Sequence, residues 1–321
     1  MASAKPIVAI TIGDPAGVGP EVVARAVVTP QVQEVCTPVV VGSRRRLEEA
    51  AGICGVRLPG ELKVEEPGSQ GQLEWGRPSA ASGAMAAAAI ELAWEMCMQG
   101  RADAMATAPI SKAALAAAGY RDTGHTTMLK RLCKVERVVM MLAGARLKVA
   151  LVTIHCALKD VPTLITTEGV AATARLAAQG ITWLTAISRP RLAIAGLNPH
   201  AGEGGMFGDE EERIIAPAVE QLKAEGLDVA GPLPPDTVFY RAAQGEFDGV
   251  VAMYHDQGLG PLKLIHFDEA VNITLGLPIV RTSADHGTAF DIAGKGLARP
   301  TSMIQAIIAA ATMARARRGH A

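Results

Sequence analysis

The sequence has 321 residues, enough for two domains or one large one at roughly 100–200 residues per domain. Apolar residues make up 49%, which argues against the disordered and fibrous classes. With 31 Lys and Arg against 32 Asp and Glu, and only 5 Phe, 3 Tyr and 3 Trp, the chain has neither the basic excess nor the stacking aromatics that nucleic-acid binding uses.

In chain order, short apolar runs alternate with helix-period stretches, the pattern of βα units around a mostly parallel sheet. Strands are predicted at Ile7–Ile12, Pro38–Val41, Ala104–Thr107, Val138–Leu142, Lys148–Ile154, Arg191–Gly196, Gly249–Tyr254 and Asn272–Leu275. Helices are predicted at Pro20–Val28, Arg44–Ala51, Gly83–Gln99, Lys112–Ala118, Thr167–Gln179, Asp209–Glu225 and Ser302–Arg318. Asp209 is the expected N-cap of its helix, and Gly180 and Gly226 stand where C-caps are expected. Met-Ala-Ser-Ala-Lys-Pro runs into the first strand without an apolar signal core. The longest charge-free run, Pro300–Ala314, has 15 residues, short of the roughly 18 a membrane span needs. Five cysteines, never closer than 18 positions and without a CxxC pair, fit a reducing cytoplasm.

Three of the seven histidines follow apolar strand patterns: His155 after KVALVTI, His200 after RLAIAGLNP and His255 after GVVAMY. In open α/β sheets, ligands bind outside the carboxyl ends of the strands. One such histidine is usually structural, but three in the same position point to a shared site. Imidazole suits Zn, Co, Fe or Mn, and three such ligands leave positions open for a substrate oxygen. Separations of 45 and 55 residues leave their proximity open.

Glycine-rich segments mark further candidates. Gly13-Asp14-Pro15-Ala16-Gly17-Val18-Gly19-Pro20-Glu21 joins the first strand to the first helix and can offer free amides to a ligand, or serve as a plain βα turn. It is not a GxGxxG fingerprint, and Gly287…Gly294-Lys295-Gly296 fails as a P-loop in spacing. Ala106–Lys112 and Thr123–Thr127 offer hydroxyls, a histidine and glycine, either as an anion cradle or as capped surface loops. Asp256 stands beside His255, Lys263 lies eight positions on, and Asn272 and Arg281 flank an apolar run. Lys and Arg are natural partners of phosphate and carboxylate.

Taken together, GDPAGVGPE, TAPISK, TGHTT, TIH, LNPHAGEGG, GPLPPDT, AMYHDQGLGPLK, VNITLGLPIVRTS and DHGTAFDIAGKG resemble the 4-hydroxythreonine-4-phosphate dehydrogenase (PdxA) family, in order from residue 13 to 296. That family is similar to the isocitrate and isopropylmalate dehydrogenase group. The resemblance implies two α/β domains with mostly parallel sheets, in a homodimer whose active site lies in the interdomain cleft at the subunit interface. It places a discontinuous domain at 1–130 plus 280–321 with the cofactor loop, and a domain at 131–279 with the metal ligands and dimer contacts.

Carried over residue by residue, it makes His155, His200 and His255 ligands of one divalent ion (Zn, Mg, Co or Mn), with His255 from the partner subunit. His125, Thr126, Asp236, Lys263, Asn272 and Arg281 match substrate-contacting positions. His286, Gly287, Thr288, Ala289, Phe290, Asp291 and Ile292 resemble an adenosine-binding loop, and an Asp291 carboxylate facing the ribose would favour NAD over NADP. The implied reaction oxidises 4-phosphohydroxy-L-threonine at C3 and then decarboxylates it to 3-amino-2-oxopropyl phosphate, in pyridoxal phosphate biosynthesis. Lys263, Lys112 and Asp256, or a water, remain alternatives for the proton acceptor. Close relatives that resemble the chain equally oxidise 4-phospho-erythronate or 4-phospho-threonate, and a metal-dependent phosphatase-like hydrolase is the alternative outside oxidoreductases. Neither a membrane nor a nucleic acid is an expected partner.

Overall fold

The computed structural model describes residues 4–68 and 73–319 and divides into two compact units, Met1–Val138 with Leu277–Ala321, and Val139–Gly276. Eleven strands are described: β1 Ile7–Thr11, β2 Thr37–Val41, β3 Lys63–Glu65, β4 Ala104–Thr107, β5 Val139–Ala143, β6 Lys148–Leu151, β7 Leu192–Ala195, β8 Val229–Leu233, β9 Gly249–Ala252, β10 Val271–Leu275 and β11 Val280–Ala284.

In the first unit the strand order is β3-β2-β1-β4-β11, and every pairing is parallel. The chain steps outward from β1 to β3 and then returns to the other side of β1. This makes the carboxyl ends of β1 and β4 a switch point, the usual ligand crevice of such sheets. Strands this apolar (IVAIT, AMAT) are covered on both faces, as parallel sheets require. Helix Ala80–Met98 buries Ala87, Ile90 and Ala93 in a core with Ala9, Val39, Met105 and Leu129.

In the second unit the order is β10-β5-β6-β9-β7-β8. The β10–β5 and β5–β6 pairs are antiparallel, whereas β6–β9, β9–β7 and β7–β8 are parallel. Val149, Leu151, Ala193, Val250 and Ala252 form its core with Leu259 and Leu262. Among the described residues, no helix is long and apolar enough to cross a membrane.

Several local expectations need correction. Gly180 does not cap its helix, which runs Thr167–Thr185 and ends on left-handed Ala186. A Cβ at Gly180 would stand 2.5 Å from a Leu275 methyl, so this glycine serves close packing on β10. The expected helix from Asp209 to Glu225 forms in two pieces, a π turn at Glu211–Ile215 and an α-helix at Ala216–Ala224. Pro217, which has no N–H to give, sits at the seam. Asp209 pairs with the Arg213 guanidinium, and Glu210 takes the cap position.

Strands β3, β8 and β11 carry charge or Gly-Pro within very short runs, which hides their pattern. Helices Pro30–Val35, His125–Cys133, Pro235–Ala243 and His255–His266 also lie outside the predicted set. The last contains Gly258, Gly260 and Pro261, residues that lower helix propensity.

Candidate active site

In the second unit, three adjacent parallel strands each deliver a histidine beyond their carboxyl ends. His155 follows β6, His255 follows β9 and opens the helix His255–His266, and His200 lies in the 3₁₀ turn Pro199–Gly202 after β7. The rings of His155 and His255 stand 5.7 Å apart between centroids, tilted by 41°. Two imidazoles bound to one ion at about 2.0–2.1 Å place their ring centres roughly 5–6 Å apart. His200 instead faces Phe207 at 6.4 Å. Among the described residues, no group of three or more His, Cys, Asp or Glu side chains is arranged to hold one ion. The chain therefore brings together two of the three predicted ligands.

The strand exits are tied to one another by buried polar groups. Thr153 donates its hydroxyl to the Met253 carbonyl at 2.7 Å, joining the exits of β6 and β9. The Gln257 side chain accepts from the Met253 N–H at 2.6 Å and donates to the Gly196 carbonyl at 2.7 Å, joining the exits of β9 and β7. Buried Glu211 accepts from the Leu197 and Asn198 N–H groups at 2.7 Å and from the Asn198 amide at 2.9 Å. Beyond it the backbone turns left-handed at His200, Ala201 and Glu203, with φ of 52°, 54° and 45°. Such conformations cost non-glycine residues about 1–2 kcal/mol each. Glu211 holds the segment just before them. His255 Nδ1 meets Asp256 Oδ1 at 2.7 Å, which leaves Nε2 for a ligand and gives the imidazole the carboxylate partner that metal-bound histidines usually have.

In the first unit, Arg281 is buried and donates to the Thr107 hydroxyl at 2.8 Å. Burial pushes its pKa down to about 9. His125 begins the helix His125–Cys133, and burial, reinforced by the Arg281 charge, holds its pKa well below the usual value. Its Nε2 is buried without a hydrogen-bond partner. A buried guanidinium and a helix N-terminus are groups whose chemistry suits an anion.

The remaining predicted positions are more dispersed. Asn272 Oδ1, on β10, is buried and unpartnered. Asp236 is exposed in the first turn of the helix Pro235–Ala243. Lys263 is half-buried on the helix that His255 opens, with its amine 5.9 Å from the Phe267 ring centre. Lys112 is exposed at the start of the helix Lys112–Ala117, which Ser111 caps.

The loop from His286 to Ile292 rests on the glycine-rich turn after β1. Val18 N–H donates to the Thr288 carbonyl at 2.9 Å, and a Cβ at Gly17 would lie 2.8 Å from that same oxygen. Only glycine permits this approach. The buried Glu21 carboxylate accepts from the N–H groups of Gly294 and Gly296. Arg25 donates to the carbonyls of Gly296 and Ala298. His286, Thr288, Ala289 and Ile292 are partly exposed and Gly287 and Asp291 exposed, on a loop that Ala289 bends through a φ of 41°. Asp14, buried after β1, accepts from the Ala16 N–H and the Ser82 hydroxyl, and burial raises its pKa.

Thr153, Glu211, Gln257, Glu21 and Asp14 are absent from the predicted site. Asp14, Thr153, Gln257 and Glu21 do lie within segments that the sequence marks, but Thr153, Gln257 and Glu21 reach backbone atoms far along the chain.

Known proteins match nearly the whole chain. The family model of the pyridoxal phosphate biosynthetic protein PdxA matches residues 34–310. The 4-hydroxythreonine-4-phosphate dehydrogenase of Geobacter metallireducens is 51% identical over 331 residues, covering 98% of this chain and 97% of the relative. The D-threonate 4-phosphate dehydrogenase of Cupriavidus necator is 44% identical over 327 residues, covering 96% and 97%. Among solved structures, the 4-hydroxythreonine-4-phosphate dehydrogenase of Klebsiella pneumoniae is similar with a TM-score of 0.87 at 38% identity, covering 98% of this chain and 99% of that one.

Proposed function

The chain belongs to the PdxA family, and on that premise we propose that it oxidises 4-phosphohydroxy-L-threonine at C3 with NAD and a divalent metal ion. Loss of CO2 from the 3-keto acid then yields 3-amino-2-oxopropyl phosphate, a precursor of pyridoxal phosphate. The observation that carries this reading is the delivery of His155, His255 and His200 by three neighbouring parallel strands.

The donor set fits a divalent ion. Imidazoles leave positions open for substrate oxygen or nitrogen, and the 5.7 Å separation of His155 and His255 is that of two rings on one ion. When bound, the ion supplies Lewis-acid polarisation and the nicotinamide accepts hydride. Arg281 and neutral His125, with the helix N-terminus at Thr126, bind the substrate phosphate. Asn272 and Asp236 orient the polar carbons. Lys263 takes the hydroxyl proton: it is half-buried on the helix that His255 opens, whereas Lys112 is exposed and Asp256 is occupied by the His255 imidazole. Asp291 receives the adenosine ribose hydroxyls and repels the extra phosphate of NADP. Turnover takes place in a cytoplasmic homodimer, and all five cysteines are free, as a reducing compartment allows.

Two observations favour second readings on particular points. The resemblance draws His255 from the partner subunit, whereas the proximity of His155 and His255 within one chain favours a pair from the same subunit. The relative named for D-threonate 4-phosphate at 44% identity favours a substrate with hydroxyl in place of amine.

The metal-loaded protein should be supplied in parallel with the 4-phosphates of hydroxythreonine, threonate and erythronate, and both NADH absorbance and released phosphate followed. NADH formation fastest with phosphohydroxythreonine is the expected result. Faster turnover of an amine-free acid reassigns the substrate, and phosphate release without NADH overturns the dehydrogenase reading.

A further inference from the structure

We propose that Gln257 is a positioning residue that fixes the His255 exit relative to the His200 exit, and that it thereby sets the affinity of the histidine site for its ion. The inference rests on the metal reading above and adds to it a residue that touches neither ion nor substrate.

The geometry is specific. Strands β9 and β7 pair through Gly249, Val250 and Val251, and the described pairing ends there. Past that point each chain must turn away toward its histidine. Gln257 bridges the gap: Oε1 accepts from the Met253 N–H, two residues before His255, and Nε2 donates to the Gly196 carbonyl, four residues before His200. The side chain is buried, so these partners have no water to replace it. Both ends of an amide are needed, one to accept and one to donate. Thr153 extends the same tie to the exit of β6, since Met253 bonds to Thr153 as well as to Gln257. Three histidine-bearing exits thus share one hydrogen-bonded seam, in which Thr153 reaches across 100 positions to Met253 and Gln257 across 61 to Gly196.

The test uses Co2+ titrated into the apo-protein, followed by visible absorption, alongside thermal unfolding of the same samples. Gln257→Met keeps the length and volume and removes both hydrogen bonds. Outer-shell substitutions of this kind cost on the order of 10–100-fold in metal affinity, and that is the expected loss, with NAD affinity unchanged. Val219→Ala, in the core of the helix Ala216–Ala224, supplies a stability control. It should lower Tm while leaving Co2+ affinity at the wild-type value, so that a fall in Tm alone does not explain the loss. Gln257→Glu keeps the acceptor for Met253 and sets an oxygen against the Gly196 carbonyl, and it should also weaken binding.

A folded Gln257→Met or Gln257→Glu protein that binds Co2+ as wild type does overturns the inference. Independently of any variant, Co2+ should slow hydrogen exchange at the Met253 amide of the wild-type protein, and unchanged exchange there also overturns it. Wild-type protein that takes up no Co2+ overturns the metal reading itself, which is a different and recognisable failure.

Discussion

The two units solve the same problem, presenting chemistry beyond the ends of parallel strands, in opposite ways. In the first unit, the turn after β1 and the loop around Thr288 offer backbone at close range, with glycine where a Cβ would collide. Their side chains Asp14, Glu21 and Arg25 are spent on tying backbone N–H and C=O groups. In the second unit the backbone is tied just as firmly, by Glu211, Gln257 and Thr153, but the residues thus positioned are imidazoles. A backbone surface suits a large ligand held by shape and amides, whereas converging imidazoles suit a small ion. The polar residues doing the tying are buried in both cases, except half-buried Arg25, and are not themselves the chemistry.

The difference is broken most severely by removing the imidazoles. His155→Ala, His200→Ala and His255→Ala should each lose bound metal and lower kcat/KM by about a thousandfold or more, the several kcal/mol that a Lewis acid supplies, with Tm little changed. A variant that keeps stoichiometric metal and near-normal turnover leaves the ligand set. Mixing His200→Ala with His255→Ala subunits then separates the two arrangements. If His255 serves the partner's ion, each heterodimer keeps one intact site and about half of wild-type activity. If all three ligands come from one chain, heterodimers stay inactive.

How much of this was legible in the sequence follows from where each signal resides. The strands β6, β7 and β9 are readable because they are short apolar runs, and the histidines are readable because they follow those runs. Their tie is not: Gln257 answers to Gly196 and Glu21 to Gly294, backbone groups 61 and 273 positions away, and backbone groups carry no residue signature. The same holds for β11, where Arg281 interrupts the apolar pattern because it turns to Thr107. The helix opened by His255 stays hidden because Gly258, Gly260 and Pro261 follow within six residues. The motif thus identified the chemistry, and its glycines concealed the element that carries it.

A smaller effect sharpens the first unit's side of the comparison. Asp291 is exposed on the loop that Glu21 anchors. Paired ribose hydroxyls can donate to its carboxylate, whereas a 2′-phosphate brings about two negative charges against it. Bonds to a charged group are worth about 1.5–3 kcal/mol each, so Asp291→Ala should reduce the NAD preference on the order of tenfold or more. Asp291→Lys should reverse it. The measurement is kcat/KM with NAD and with NADP, and an unchanged ratio in both variants removes this loop from the adenosine end of the cofactor.

The smallest effect concerns the buried carboxylate that ties the turn after β1. Burial, the largest influence on Asp14, raises its pKa, and the hydrogen bonds from Ala16 and Ser82 and the Arg46 charge only partly oppose it. The folded protein therefore holds this proton more tightly than the unfolded chain does. Between the ordinary carboxylate value, about pH 4, and the raised folded value, the folded state binds more protons than the unfolded state, so stability falls as pH rises through that window. Above it, the cost of a buried charge is fully present. Asp14→Asn removes the charge while its amide oxygen can still accept from Ala16 and its N–H can reach the Ser82 oxygen. Its Tm relative to wild type should therefore rise with pH across the window and then level off, with NAD affinity retained because the turn keeps its shape. A relative Tm that falls over the same range would mean that the ionised carboxylate stabilises the turn, and that this end of the molecule, like the other, depends on a charged group.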